Sequence, residues 1–159
     1  MPKISKIYLD MDGVIADFYK RYHERYGLAP RDAEKKKEFN KYFDEFIATS
    51  QFATLDLMPG THDAISYLIN CGIPVEILSS TANEARYDAI SKQKIDWLLA
   101  KNIAFKTNFV PGKRHKYKFA TPESIIIDDT PSVIDDWVKA GGIGIWHKDW
   151  PSTLAILRQ

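Results

Sequence analysis

Apolar residues gather into four short runs along the chain, at positions 4–9, 75–79, 124–127 and 143–146. Each run is rich in β-branched or aromatic residues and too short for a helix, which predicts buried strands. A weaker run covers 103–110. Helical spacing fills the intervals between them. Residues 61–70 open at Thr61, behind Pro59-Gly60, and stop at Gly72. Residues 82–101 carry Ala85, Ala89, Ile90, Ile95, Leu98 and Leu99 on one side. Residues 132–140 follow Pro131 and run into Gly141-Gly142, the usual start and stop of a helix.

Strands alternating with helices predict an α/β fold, a three-layer, Rossmann-like parallel sheet with helices on both faces. Ligands of such sheets bind beyond the carboxyl ends of the strands, so chemistry is expected there. Residues 18–57 break the alternation. They show no strand signal, read as helical, and hold Phe18, Tyr19, Tyr22, Tyr26, Phe39, Tyr42, Phe43, Phe46 and Phe52. This predicts a small helical cap over residues 18–57, inserted after the first strand of a core formed by residues 1–17 and 58–159.

Composition narrows the function classes. A chain of 159 residues fits one compact domain with a small insertion. The 22 Lys plus Arg against 21 Asp plus Glu leave a formal charge of +1, so the excess of cations that drives nucleic-acid or anionic-membrane binding is missing. Cys71 is the single cysteine, which forbids an intrachain disulfide and favours a reducing compartment. No stretch approaches the roughly 20 apolar residues of a membrane span, and no secretory signal is visible. A soluble, cytoplasmic protein is expected.

Three polar groups follow directly on predicted strands: Asp10 and Asp12, then Ser79-Ser80-Thr81, then Asp128-Asp129. All three should meet at one edge of the sheet. Four carboxylates there repel one another unless a cation lies among them, and their hard oxygens suit Mg²⁺. No His or Cys cluster accompanies them, which argues against zinc. Asp10, at a strand tip, can attack a phosphorus atom. Asp12, two residues on, can protonate the leaving oxygen and later deprotonate a water. Ser79 offers a hydroxyl and Ser80 a backbone N–H to a phosphate. The segment Lys113-Arg114-His115-Lys116-Tyr117-Lys118 offers cations to balance the phosphoryl oxygens. A lone strand-end Asp is also a common helix cap, and Asp129 before Thr130-Pro131 has that alternative.

Asp10-Met11-Asp12-Gly13-Val14-Ile15-Ala16-Asp17-Phe18 resembles motif I of the haloacid dehalogenase (HAD) superfamily, and its Ala-Asp-Phe extension resembles the 5'(3')-deoxyribonucleotidase branch. Ile77-Leu78-Ser79-Ser80 is similar to motif II, and Ile125-Ile126-Ile127-Asp128-Asp129 to the double-Asp form of motif IV. Residues 137–147 look like the branch's last helix and strand, and Met58-Pro59-Gly60 like the superfamily's return to the core after a cap. The resemblance implies Asp10 as nucleophile and Mg²⁺ ligand, and Asp12 as acid/base binding Mg²⁺ through its carbonyl. It implies Ser79 and Lys118 as phosphate ligands. Lys118 has the family's spacing to the double Asp, with Lys113 or Lys116 as the alternatives. One of Asp128 and Asp129 ligates the metal directly by this resemblance; Asp129 is favoured, with Asp128 supporting it.

The expected function is that of a Mg²⁺-dependent phosphomonoesterase acting on nucleoside 5'-monophosphates, chiefly deoxyribonucleotides, through an aspartyl-phosphate. Phe18, Tyr22, Phe43, Phe46 and Phe52 are candidates to stack on a base, Phe18 and Phe43 foremost. The cap is shorter than in the better-known deoxyribonucleotidases, and its aromatics are equally suited to holding the cap together. Sugar phosphates or the 3'-phosphate ends of nucleic acids stand as alternative substrates, and a non-catalytic binding module as a further alternative. No membrane partner is expected, nucleic acid is disfavoured by the charge balance, and a homodimer is left open.

Overall fold

A computed structural model describes residues 3–159. Five strands form one parallel sheet: β1 (Lys6–Leu9), β2 (Val75–Ser80), β3 (Lys106–Val110), β4 (Ser124–Asp128) and β5 (Ile143–Trp146), in the order β3-β2-β1-β4-β5. Burial follows position. β4 is buried at every residue, whereas the edge strands β3 and β5 are only partly covered, as expected of a sheet sandwiched between helices. In the central pairings Leu9 lies beside both Ile77 and Ile127. The residues after each partner therefore leave the sheet at one level, and this register sets the site.

The described residues form seven α-helices: α1 (Phe18–Tyr26), α2 (Pro30–Lys35), α3 (Phe39–Ala48), α4 (Thr61–Asn70), α5 (Tyr87–Ala100), α6 (Pro131–Lys139) and, after the last strand, α7 (Trp150–Leu157). The sequence reading placed α4 at its observed bounds. The predicted helix over 82–101 begins five residues late, because residues 82–86 form the loop that carries the chain off β2. Helix α7 was not expected. Its signal was a cap: the Asp149 carboxylate accepts a hydrogen bond from Ser152 N–H at 2.8 Å, and Pro151 stands in the first turn.

Between β1 and α4 lie α1, α2, α3 and a 3-10 turn at Gln51–Thr54. Two adjoining stretches carry this segment. Asp17 N–H donates to the Asp56 carbonyl at 2.8 Å, Met58 N–H donates to the Ile15 carbonyl at 2.8 Å, and Ala16 bridges Leu57 in antiparallel fashion. Helix α5 binds the segment from below. Gln93 accepts from Phe52 N–H at 3.2 Å and donates to the Ile47 carbonyl at 2.8 Å, while Trp97 donates to the Leu55 carbonyl at 2.7 Å. Phe18, Tyr22, Phe43, Phe46 and Phe52 belong to the same buried apolar cluster as Leu9 and Ile77 of the sheet. Among the described residues no helix is long and apolar enough to cross a membrane.

Candidate active site

The carboxyl edge of β1 turns sharply at Met11–Ala16, where the N–H groups of Val14, Ile15 and Ala16 all donate to the Met11 carbonyl. Gly13 takes φ +80° in this turn, and a Cβ placed on it would lie 2.0 Å from Asp129 Oδ2. Glycine is needed on both counts: the left-handed backbone disfavours a side chain, and the space belongs to a carboxylate.

Asp10 is buried, and its Oδ1 accepts a hydrogen bond from Lys116 Nζ at 2.8 Å. The same ammonium donates to Asp128 Oδ2 at 2.8 Å, and Asp128 Oδ1 accepts from Thr130 N–H at 2.9 Å. Burial alone would push Lys116 down, but the adjoining Asp10 and Asp128 carboxylates outweigh it and hold the ammonium charged, above its usual range. Asp128 and Asp129 are pushed up from the ordinary carboxylate range, first by burial and then by the charge of Asp10. One lysine does not balance this group. Oxygens of Asp10, Asp128 and Asp129 lie within 4.8 Å of one another, an all-oxygen donor set that suits a hard divalent cation and offers no soft ligand for zinc.

Asp12 sits beside this cluster on a separate cation. Its Oδ2 accepts from Lys94 Nζ at 3.0 Å, while its Oδ1 is buried with no hydrogen-bond partner. Lys94 comes from α5, also donates to Ser79 Oγ at 2.7 Å and to the Ser80 carbonyl at 2.9 Å, and is almost fully buried.

The structure therefore brings Asp10, Asp12, Ser80, Asp128 and Asp129 together and rearranges the rest. Lys118 is exposed, with its Nζ 3.2 Å from His115 Nδ1, so it stands outside the carboxylate cluster. Lys116, the fallback, occupies that place. The 3-10 turn at Lys113–Phe119 points Lys116 inward and Lys118 outward, and spacing in a loop cannot reveal such a rotation. Ser79 lies completely buried against Lys94, and it is Ser80 that lines the recess. Asp129 does not cap α6: Thr130 is the N-cap residue and no side chain caps the helix. Lys94 was missed because α5 looks like an ordinary amphipathic helix. The available signal was a lysine flanked by Ile90, Trp97 and Leu98 on the buried side.

A recess of about 140 Å³ is lined by Asp10, Asp12, Ser80, Lys113, Lys116 and Asp129. It adjoins a hollow of about 340 Å³ walled by Phe18, Tyr19, Phe39, Phe43 and Phe52, and both share Asp12, Phe18, Tyr19, Ser80 and Lys113. Phe18 and Phe43 thus border the hollow, although both are 8% exposed or less because they pack on each other and on Phe52. A larger apolar hollow of about 400 Å³, between Ile7, Tyr67, Cys71 and Leu157, contains none of these acids. Convergent charge, not size, singles out the first two.

No protein-family model matches the sequence. No curated protein matches it either. Solved structures do. A hydrolase from Streptococcus pneumoniae TIGR4 superposes with a TM-score of 0.62 at 17% identity, covering 99% of this chain and 100% of that one. A HAD family enzyme of Bacteroides thetaiotaomicron, in complex with magnesium and inorganic phosphate, gives 0.53 at 14% identity, covering 94% of this chain and 98% of that one. A HAD hydrolase of family IA, variant 3, from Entamoeba histolytica gives 0.51 at 16% identity, covering 89% and 84%. The fold of this chain is that of these HAD-family hydrolases.

Proposed function

We propose that the protein is a Mg²⁺-dependent phosphomonoesterase whose preferred substrates are nucleoside 5'-monophosphates, deoxyribonucleotides among them. The observation that carries this reading is the junction of two environments. A recess with a buried nucleophilic carboxylate and crowded acids opens directly into a hollow walled by five aromatic rings. A phosphate on a planar aromatic group matches that pairing, since bases stack on aromatic rings at about 1–3 kcal/mol each. The Bacteroides enzyme of this fold binds magnesium and inorganic phosphate, which supports the same chemistry here.

Asp10 and Asp129, with Asp128 and the Asp12 carbonyl, would hold Mg²⁺, whose chemistry when bound is to neutralise phosphoryl oxygens and carboxylates at once. The chain's own groups then divide the work. Asp10 attacks phosphorus as the ester P–O bond breaks, giving an aspartyl-phosphate. Asp12 donates its proton to the departing oxygen, which leaves as an alcohol. Asp12 then accepts a proton from the water that attacks the aspartyl-phosphate, releasing inorganic phosphate and restoring Asp10. Lys116 holds Asp10 in place through its 2.8 Å hydrogen bond and offsets charge at the recess floor. Ser80 and the exposed Lys113 meet the phosphate at the recess wall.

A second reading rests on Lys113, which lines the recess, and on the exposed Arg114 and Lys118 of the same 3-10 turn, cations that fit the 3'-phosphate end of a nucleic acid. One panel separates the two. kcat/KM is compared for ribo- and deoxyribonucleoside 3'- and 5'-monophosphates, sugar phosphates and a 3'-phosphorylated oligonucleotide, with and without EDTA. Highest kcat/KM for 5'-mononucleotides, lost with EDTA and regained with Mg²⁺, is the expected result. A preference for the oligonucleotide selects the second reading, and turnover that resists EDTA overturns the carboxylate-cluster chemistry.

A further inference from the structure

Lys94 is a buried lysine that phosphate binding has no use for. An ammonium has three N–H donors, and all three are spent: on Asp12 Oδ2 at 3.0 Å, on Ser79 Oγ at 2.7 Å and on the Ser80 carbonyl at 2.9 Å. Its side chain is 3% exposed. No donor remains to reach a substrate. Burying a charge this deeply is costly unless its partners are fixed, so the arrangement holds those partners as firmly as they hold it.

What it holds is one half of a carboxylate. Oδ2 of Asp12 is tied to Lys94, and Oδ1 is buried with no partner among the described residues. The side chain as a whole keeps 27% of its surface exposed and lines the recess. The ring of Phe52, from the 3-10 turn above, lies 5.3 Å from the same ammonium. Gln93, the residue before Lys94, bonds the Phe52 N–H and the Ile47 carbonyl of the helical segment. One turn of α5 therefore grips the roof of the hollow and the side chain of Asp12 together.

We infer that Lys94 is the positioning residue for the proton-transfer carboxylate: through its bond to Oδ2 it fixes the orientation of Asp12 at the wall of the recess that takes the phosphate ester. This rests on the phosphomonoesterase reading above but not on the nucleotide preference. Lys94 neither touches the phosphate nor exchanges a proton. It also ties the Ser80 carbonyl, a bond that serves every substrate alike, so its hold on Asp12 shows as the part of the loss that grows with the leaving group's need for a proton.

That dependence is the test. kcat/KM reports the steps up to alcohol release, and it is measured for a series running from p-nitrophenyl phosphate, whose phenolate departs unaided, to alkyl phosphates, whose alkoxide does not. Lys94→Met is expected to lower kcat/KM for alkyl phosphates about 100-fold while changing that for p-nitrophenyl phosphate by less than about 5-fold, the range in which general acids contribute. Asp12→Asn should show the same leaving-group pattern, and the double variant should lose no more than Asp12→Asn alone. Lys92→Met, at an exposed site on the same helix, is the control for helix disruption. If Lys94→Met does not fold, as judged by circular dichroism and thermal unfolding, Lys94→Gln carries the same comparison with a donor retained. Equal losses across the series, or losses that multiply with Asp12→Asn, overturn the assignment while leaving the phosphatase reading intact. A wild-type protein that hydrolyses no phosphate monoester overturns both.

Discussion

The sheet edge and the helical segment above it are held together by opposite means. At the edge, two buried lysines serve three of the four carboxylates: Lys116 serves Asp10 and Asp128, and Lys94 serves Asp12. In the helical segment, rings meet rings. Phe18 lies parallel to Phe52 at 5.5 Å, Phe46 stands edge-on to both, and Tyr26 stacks on Tyr42 at 4.6 Å. Charge networks tolerate almost no change, since removing one partner leaves a buried charge uncompensated. Aromatic clusters lose energy in proportion to what is cut away, and their edges can be reshaped. In the function proposed above, the reaction falls to the charged half and selectivity to the aromatic half. Even the unpaired atoms divide this way: Asp12 Oδ1 lies beside the recess and Tyr22 Oη inside the aromatic cluster.

Substitutions should separate the halves. Asp10→Asn is expected to lower kcat for every substrate by about 10⁴-fold while the circular dichroism spectrum stays unchanged, because it removes the proposed nucleophile and keeps the side chain's shape. A variant retaining wild-type hydrolysis of p-nitrophenyl phosphate would dissolve the contrast. Lys116→Ala should cost about 100-fold or more in kcat, whereas Lys118→Ala, outside the cluster, should leave kcat within about 2-fold, the ordinary outcome for an exposed residue. In the aromatic half, Phe46→Ala should destabilise the protein by about 3–5 kcal/mol in urea unfolding. Phe43→Ala should lower kcat/KM for nucleotides by about 10-fold, equivalent to one stacking contact, and leave p-nitrophenyl phosphate little affected. An equal loss on both substrates would mean that the hollow does not read the base.

Two smaller effects sharpen the picture. Burial depresses His147 to about 4, and its Nδ1 lies 2.7 Å from Thr153 Oγ1. The unfolded chain binds that proton near the ordinary value of 6.5, the folded chain only near 4. The stability this residue contributes is therefore complete above pH 6.5 and is lost as pH falls towards 4. Melting temperature against pH should show the decline, and His147→Gln should flatten it. Tyr22→Phe removes a buried hydroxyl that has no partner, so it should be neutral or stabilising by about 1 kcal/mol.

Much of this was legible beforehand because it is local. Strands β1 and β4 announce themselves as apolar runs, and their acidic tips follow in the next residues. Parallel pairing then makes it nearly unavoidable that Asp10 and Asp128 lie level. The lysines were less legible. Lys113, Lys116 and Lys118 are indistinguishable by type and differ only in which way a 3-10 turn faces. Lys94 stands 82 residues from the Asp12 it contacts, and its one mark in the sequence is a place among the apolar residues Ile90, Trp97 and Leu98. The aromatic residues were visible as a set, but a ring that packs and a ring that borders a hollow look alike in sequence.

The order of apolar and polar residues determined the sheet, the interruption after its first strand, and the acids at one edge, because strand periodicity and charge repulsion act between near neighbours. Folding alone decided which lysine enters the carboxylate cluster, which lysine holds Asp12, and which rings face the hollow. Those choices depend on side-chain direction across elements far apart in the chain, where a rotation of one residue exchanges a buried charge for a solvated one.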